Sequence, residues 1–357
     1  MTRSSLGIRV FWMCVFAMPI AIAAAGEDPH RAFGDSRVVA QLPASPGYPE
    51  GIAVRGHTIY VSTGARFGDA GLVTPEVEAF DRGTGALVAR YPIPAKEVGR
   101  DHGLSGLAFD ADGMLYVLDT QWGIIAIDPR SGAQSVYATA FPDIPPCSAA
   151  GVRPCSPTFT DNPPLPNDLV FDEGGNAYVT DSFQATLWIV PRGGGAPRVF
   201  FQDARLDGPF GANGIRLDRD RDAFFINVSL DYTGHGSIYT LPRDLSAPLA
   251  RFHDFGGAGP DDLALGKSGR LYVTLAFSSQ IAILDPGGAE VARFSGPSRS
   301  RDGAVPWDMP SGVALDPATD SLLVNNHSEF AGIPSHFVVF DLYVDDRPAP
   351  LARPEIH

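Results

Sequence analysis

The chain is short of cysteine, of positive charge and of helical periodicity, and each shortage removes a class of protein. Three cysteines in 357 residues exclude a small scaffold built on disulfides. Neither Cys147 nor Cys155 has a nearby histidine or a second cysteine pair, which argues against metal binding or thiol catalysis there. Lys plus Arg total 27 against 41 Asp plus Glu, so the formal net charge is −14. Such a surface repels nucleic acid and anionic lipid and speaks against both as partners. No composition break or linker divides the chain, and Gly (39) and Pro (32) are spread over many short turns, unlike a disordered sequence.

Long apolar runs are also missing, with one exception at the N-terminus. Arg3 and Arg9 precede an apolar run from Val10 to Ala25 that ends in Ala23-Ala24-Ala25. This is the order of a secretory signal, with cleavage expected before Gly26. The run is about 16 residues and has no stop-transfer flank, which disfavours a retained anchor. Residues 1–25 are therefore expected to be a signal peptide, and 26–357 a single domain exported to the periplasm or the medium, with no membrane attachment after cleavage. Removing Arg3 and Arg9 leaves 25 basic against 41 acidic residues, or −16. Cys14 leaves with the signal. Cys147 and Cys155, eight apart in a Pro-rich loop of an exported chain, are then expected to form a disulfide.

What is present is a phrase that recurs six times: Glu50-Gly51-Ile52-Ala53, Ser105-Gly106-Leu107-Ala108, Asn167-Asp168-Leu169-Val170, Asn213-Gly214-Ile215-Arg216, Asp261-Asp262-Leu263-Ala264 and Ser311-Gly312-Val313-Ala314. The intervals of 55, 62, 46, 48 and 50 residues belong to propellers, solenoids and arrays. After each phrase come a tight turn and a β-branched or aromatic run, such as Leu115-Tyr116-Val117-Leu118 and Leu271-Tyr272-Val273, and then a third run. These are strand signals bounded by Gly, Pro and Asp. A fourth strand follows in five repeats. The sixth stops near Asp346, while a spare strand, Arg37-Val38-Val39-Ala40-Gln41, stands at the other end. The pattern predicts an all-β, six-bladed propeller with four-stranded blades, the last completed by the N-terminal strand.

In such blades the first (innermost) strand A starts at the face that also carries the B-to-C and D-to-A connections. The long insertions all fall in those connections: Gly64–Pro75, Phe141–Pro166, Val228–Gly236, Gly296–Asp308 and His327–Ser335. One face is elaborated and the other trimmed, and functional loops are expected on the elaborated one. The first position of the phrase is always polar and keeps changing identity. Glu50, Asn167, Asn213 and Asp261 should converge on the channel axis and offer two carboxylates and two amide oxygens. That set suits Ca²⁺, or another divalent cation, better than Zn²⁺. Ordinary turn chemistry is the competing reading of the Asn-Gly and Asp-Asp pairs, although Glu50 is a poor turn residue. His102, His235 and His327 also map to the elaborated face.

Pro166-Asn167-Asp168-Leu169-Val170-Phe171-Asp172-Glu173-Gly174-Gly175-Asn176-Ala177-Tyr178-Val179-Thr180-Asp181-Ser182 resembles the signature of the senescence-marker-protein/gluconolactonase/luciferin-regenerating-enzyme family, a group related to the paraoxonases and diisopropyl fluorophosphatase. Glu50, Asn213 and Asp261 stand where the family's other metal-binding residues would, and the likeness spans roughly residues 37 to 345. The resemblance implies a six-bladed propeller with a divalent ion, usually Ca²⁺, in its channel, acting on sugar lactones, related esters or phosphotriesters. It implies that Glu50, Asn167 and Asn213 hold the ion, and that Asp261 is a ligand that also serves as base or nucleophile. His102-Gly103-Leu104-Ser105 is similar to a histidine-bearing segment of the paraoxonases, which makes His102 a second catalytic candidate. Asp262 departs from the family's commoner Gly, and the loop Phe141–Pro166 is longer than the family core requires. The expected function is a Ca²⁺-dependent hydrolase, a monomer, acting on a small lactone or ester. Two alternatives stay open: a non-catalytic propeller that binds a ligand or protein around a structural ion, and a lyase or condensing enzyme of the wider superfamily that needs no ion.

Overall fold

The computed structural model describes residues 31–66, 72–148, 154–296 and 304–356. The expected signal peptide and its cleavage site lie outside these residues. Among them, no helix is long and apolar enough to cross a membrane.

Six four-stranded antiparallel sheets form the ring of a β-propeller. Five are built from consecutive strands. The sixth takes its three inner strands, Pro310–Asp316, Ser321–Asn326 and Val338–Tyr343, from the end of the chain and its outermost from Ser36–Gln41. The N-terminal strand pairs antiparallel with Val338–Tyr343 and so closes the ring. Burial falls from the axis outward: Pro166–Phe171 and Ala177–Asp181 are wholly buried, whereas Arg198–Gln202 at the rim is half-buried to exposed. Core side chains from adjoining blades interdigitate, for example Val117 and Leu115 of blade two with Val77 and Ala79 of blade one.

The recurring phrase has a specific backbone consequence. In blades two to six the ladder between the two innermost strands shifts register across its first two residues: between Leu104 and Leu107, Pro166 and Leu169, Ala212 and Ile215, Pro260 and Leu263, and Pro310 and Val313. A bulge releases residues from the ladder and re-aims their side chains. Here it frees the variable polar position from strand alternation. The next position is mostly glycine because the inner strands meet backbone to backbone. A Cβ on Gly312 would lie 2.1 Å from the Glu50 carbonyl oxygen, and one on Gly51 would lie 2.4 Å from that of Ser105.

Three features differ from, or add to, the sequence reading. Strand B of blade four runs on to Leu230, so the insertion placed at Val228–Gly236 shrinks to the turn Asp231–His235. The chain does not stop at the sixth blade. Pro348 bridges Gly266, Ala349 N–H donates to Leu265 O, Arg353 reaches Val54 O and Ala111 N–H donates to Pro354 O, so the C-terminal segment crosses the trimmed face from blade five to blades one and two. The seam between blades one and six contains an unexpected pair of acids. Glu76 and Glu78 are buried on one face of strand Glu76–Asp81, and both Glu78 oxygens lack hydrogen-bond partners. Burial, with Glu76 beside it, pushes Glu78 up to about 8.

Candidate functional site

A cavity of about 830 Å³ opens on the elaborated face. Glu50, Asn167 and Asp261 line it, and Asn213 donates from Nδ2 to Asp261 Oδ1. The fold therefore brings together the four residues taken from the phrase of blades one, three, four and five.

Strand B orients the two amides, a role the sequence reading missed. Ser182 Oγ donates to Ala212 O at 2.7 Å and Ser229 Oγ donates to Pro260 O at 2.7 Å, each reaching the next blade. With its proton committed, each hydroxyl can only accept, and it accepts Nδ2 of Asn167 (3.1 Å) or of Asn213 (2.9 Å). This fixes which end of each amide is nitrogen and leaves Oδ1 as the donor end for an ion. The signal was present as a Ser at the end of strand B in Thr180-Asp181-Ser182 and Asn227-Val228-Ser229, but its meaning depends on the neighbouring blade.

Asp261 is under electrostatic stress. Burial, with the Glu50 charge nearby, raises Asp261 well above the usual carboxylate range, although His327 pulls the other way. His327 Nδ1 lies 3.0 Å from Glu50 Oε2 and forms an ion pair with it. Burial works against the His327 imidazolium, but Glu50 and Glu329 overcome it and hold the ring well above its ordinary range. Nε2 of His327 lies 2.8 Å from Ala65 O. Among the described residues, no group of three His, Cys, Asp or Glu side chains is placed to hold a metal ion. The phrase set has only two carboxylates and completes itself with amides. Asp261 beside the Glu50 charge, with two pre-oriented amides, fits a hard, oxygen-seeking divalent cation.

Asp262 does not join this set. Its carboxylate lies 3.0 Å from Arg216, which also pairs with Asp168. Asp262 Oδ2 accepts Val313 N–H at 2.9 Å and Asp168 Oδ2 accepts Ile215 N–H at 2.9 Å. The Asp168–Arg216–Asp262 triad thus ties blades three to six together. Burial raises Asp262 to about 7 even against Arg216. Arg216 also lines a second cavity of about 360 Å³, which shares no lining residue with the first and is bounded by Pro348–Arg353.

The histidines separate clearly. His235 is half-exposed at the rim, pairs with Asp254 at 3.0 Å and does not line the cavity. His102 lines the cavity and is buried, with Nε2 2.7 Å from Asp119 Oδ2. A carboxylate only accepts, so in the neutral ring Nε2 carries the proton and Nδ1 carries the lone pair. That Nδ1 is buried and has no hydrogen-bond partner. Asp119 was not singled out from sequence, where it reads as a turn residue; its other oxygen does cap the turn at Gln121 and Trp122. The wall formed by the long loop is held by the Cys147–Cys155 disulfide, with Cys147 N–H donating to Ser156 O.

No protein-family model matches the chain, and no curated protein matches it by sequence. Solved structures do match. A calcium-binding regucalcin from Agrobacterium tumefaciens aligns with a TM-score of 0.62 at 16% identity, covering 91% of this chain and 98% of that one. A gluconolactonase from Xanthomonas campestris aligns at 0.57 and 17% identity, covering 88% of each chain. Virginiamycin B lyase from Staphylococcus aureus aligns at 0.52 and 12% identity, covering 87% of this chain and 98% of that one. At these identities the likeness establishes the fold. Hydrolases and a lyase share that fold, so activity has to be argued from the site.

Proposed function

We propose that the protein is an exported, divalent-cation-dependent hydrolase of a lactone or related ester, with Ca²⁺ as the ion. The observation that carries this reading is the pair of half-buried, mutually repelling carboxylates Glu50 and Asp261, set beside Asn167 and Asn213 amides whose nitrogens are held on serines. Glu50, Asn167, Asn213 and Asp261 would hold the ion. When bound, Ca²⁺ supplies Lewis-acid polarisation of the carbonyl and stabilises the oxyanion.

The remaining work falls to side chains. Asp119 fixes the His102 ring with Nδ1 as the acceptor, and His102 takes a proton from the attacking water. The water oxygen bonds to the carbonyl carbon, the ring C–O bond breaks, and the departing alkoxide takes the proton back from His102, giving the hydroxy acid. Asp261 is the alternative base, but a carboxylate bound to a cation is weakly basic. Lactones, aryl esters and phosphotriesters assayed with Ca²⁺ and with chelator test this reading. Hydrolysis of at least one class is expected, lost with chelator and in Asp261→Ala, together with a fall in melting temperature on chelation. If no class turns over with Ca²⁺ present, the non-catalytic binding propeller replaces it.

A further inference from the structure

The cavity is much larger than the four-residue centre needs, and its walls differ in chemistry. The side built from the connection between blades one and two is polar. Its cations are engaged at the rim: Arg100 pairs with Glu97 at 3.2 Å, and Lys96 sits over the Trp122 ring. The side built from blades two to six carries six large apolar side chains, with Asp143, Ser229 and Glu329 set among them. Phe141, Leu165, Phe183, Phe210, Phe277 and Phe330 all line it. Phe183 and Phe210 meet edge to face at 5.9 Å, Phe277 is 43% exposed and Phe330 is 82% exposed. An apolar track therefore runs from beside Asn167 and Asp261 out to solvent.

We propose that the substrate is a lactone or ester bearing an alkyl chain at least several carbons long, which lies along this track, rather than a polyhydroxylated sugar lactone. The proposal rests on the hydrolase reading above and sharpens it. An alkyl chain is the chemistry that aromatic and aliphatic walls recognise, because each methylene leaves water for a surface that offers only dispersion contact. A sugar lactone carries a hydroxyl on nearly every carbon. Along this wall those hydroxyls would lose their water partners, each at a loss of about tenfold in affinity.

The test is kcat/KM for γ-lactones of increasing side-chain length, from γ-butyrolactone to γ-dodecalactone, beside D-glucono-δ-lactone, all with Ca²⁺. The expected result is a rise of about fourfold per methylene that levels off once the chain reaches the rim, with the sugar lactone below γ-octalactone. F183S and F330A are expected to lower the ratio of long-chain to short-chain kcat/KM, F183S by about tenfold. The wild-type series carries the test even if F183S folds poorly. A flat series, or a preference for the sugar lactone, overturns this proposal and leaves the hydrolase reading standing. Turnover of no lactone in the panel, γ-butyrolactone included, overturns this proposal, and failure of the aryl esters and phosphotriesters as well overturns both.

Discussion

Glu78 offers a quantitative check on how the ring closes. It shares a strand face with Phe80, which packs against Val339 and Phe337 of blade six, and its cross-strand partners are Val61 and Arg90. Glu76, which raises Glu78 further, lies beside it with Oε1 3.3 Å from Arg90, and Arg90 pulls the other way. Glu78 is held at about 8 in the folded state against an ordinary glutamate value of 4.5. A raised carboxyl binds its proton more tightly when folded. Its contribution is fully present below about 4.5 and is lost as pH rises through about 8. Between those limits the loss is about 1.4 kcal/mol per pH unit, or about 2.7 kcal/mol from pH 6 to 8 as a ceiling. The folded unit Arg31–His357 has an unfolding entropy of about 0.7 kcal/mol/K, taking about 2.1 cal/mol/K per residue. The ceiling is therefore about 4 °C of melting temperature. Glu78→Gln keeps the shape, removes the titration and can donate to the neighbouring Glu76. Thermal unfolding of the parent and E78Q at pH 6 and pH 8 isolates this group, since every other titration is common to both. The parent should lose about 2–4 °C more than E78Q over that interval. Parallel pH dependences would refute burial as the dominant influence on Glu78.

Two further substitutions probe the channel. Asp119→Asn keeps an oxygen for the turn caps at Gln121 and Trp122 but no longer forces the proton onto Nε2 of His102; turnover should fall by roughly 10²-fold or more, with calcium affinity and melting temperature nearly unchanged, and an undiminished rate would remove His102 from the mechanism. Arg216→Met leaves Asp168 and Asp262 facing each other without a counter-charge, which should cost about 3–5 kcal/mol of stability; adding Asp262→Asn should recover part of that loss in thermal unfolding, and a single variant as stable as the parent would show that the triad carries little of the inter-blade coupling.

Much of the architecture was legible in the sequence because a propeller repeats local information. Runs such as Leu115-Tyr116-Val117-Leu118 announce a strand by composition, turns such as Asp172-Glu173-Gly174-Gly175 by their φ requirements, and their period of about fifty residues gives the blade. The spare strand at Arg37–Gln41 and the missing one after Asp346 could be matched by counting alone. The polar position of the phrase was readable for the same reason: it varies where its neighbours do not. Other features depended on which blades stand next to each other, and no local window contains that. Ser182 and Ser229 matter only because each hydroxyl is committed to the carbonyl of the following blade. Asp262 reads from sequence only as a departure from the commoner Gly, whereas in the ring Arg216, 46 residues earlier, lies between it and Asp168. Asp119 is the exception: it meets His102 within one blade, where the pairing of Leu104 with Asp119 brings the two within 2.7 Å. The apolar wall is assembled from loops of five blades, none of which is notably apolar by itself. Short-range propensity and periodicity therefore determined the blades, their number and their closure. Burial and charge across the seams, which are properties of the closed ring, decided the tautomers, the ion pairs and the two-sided chemistry of the cavity.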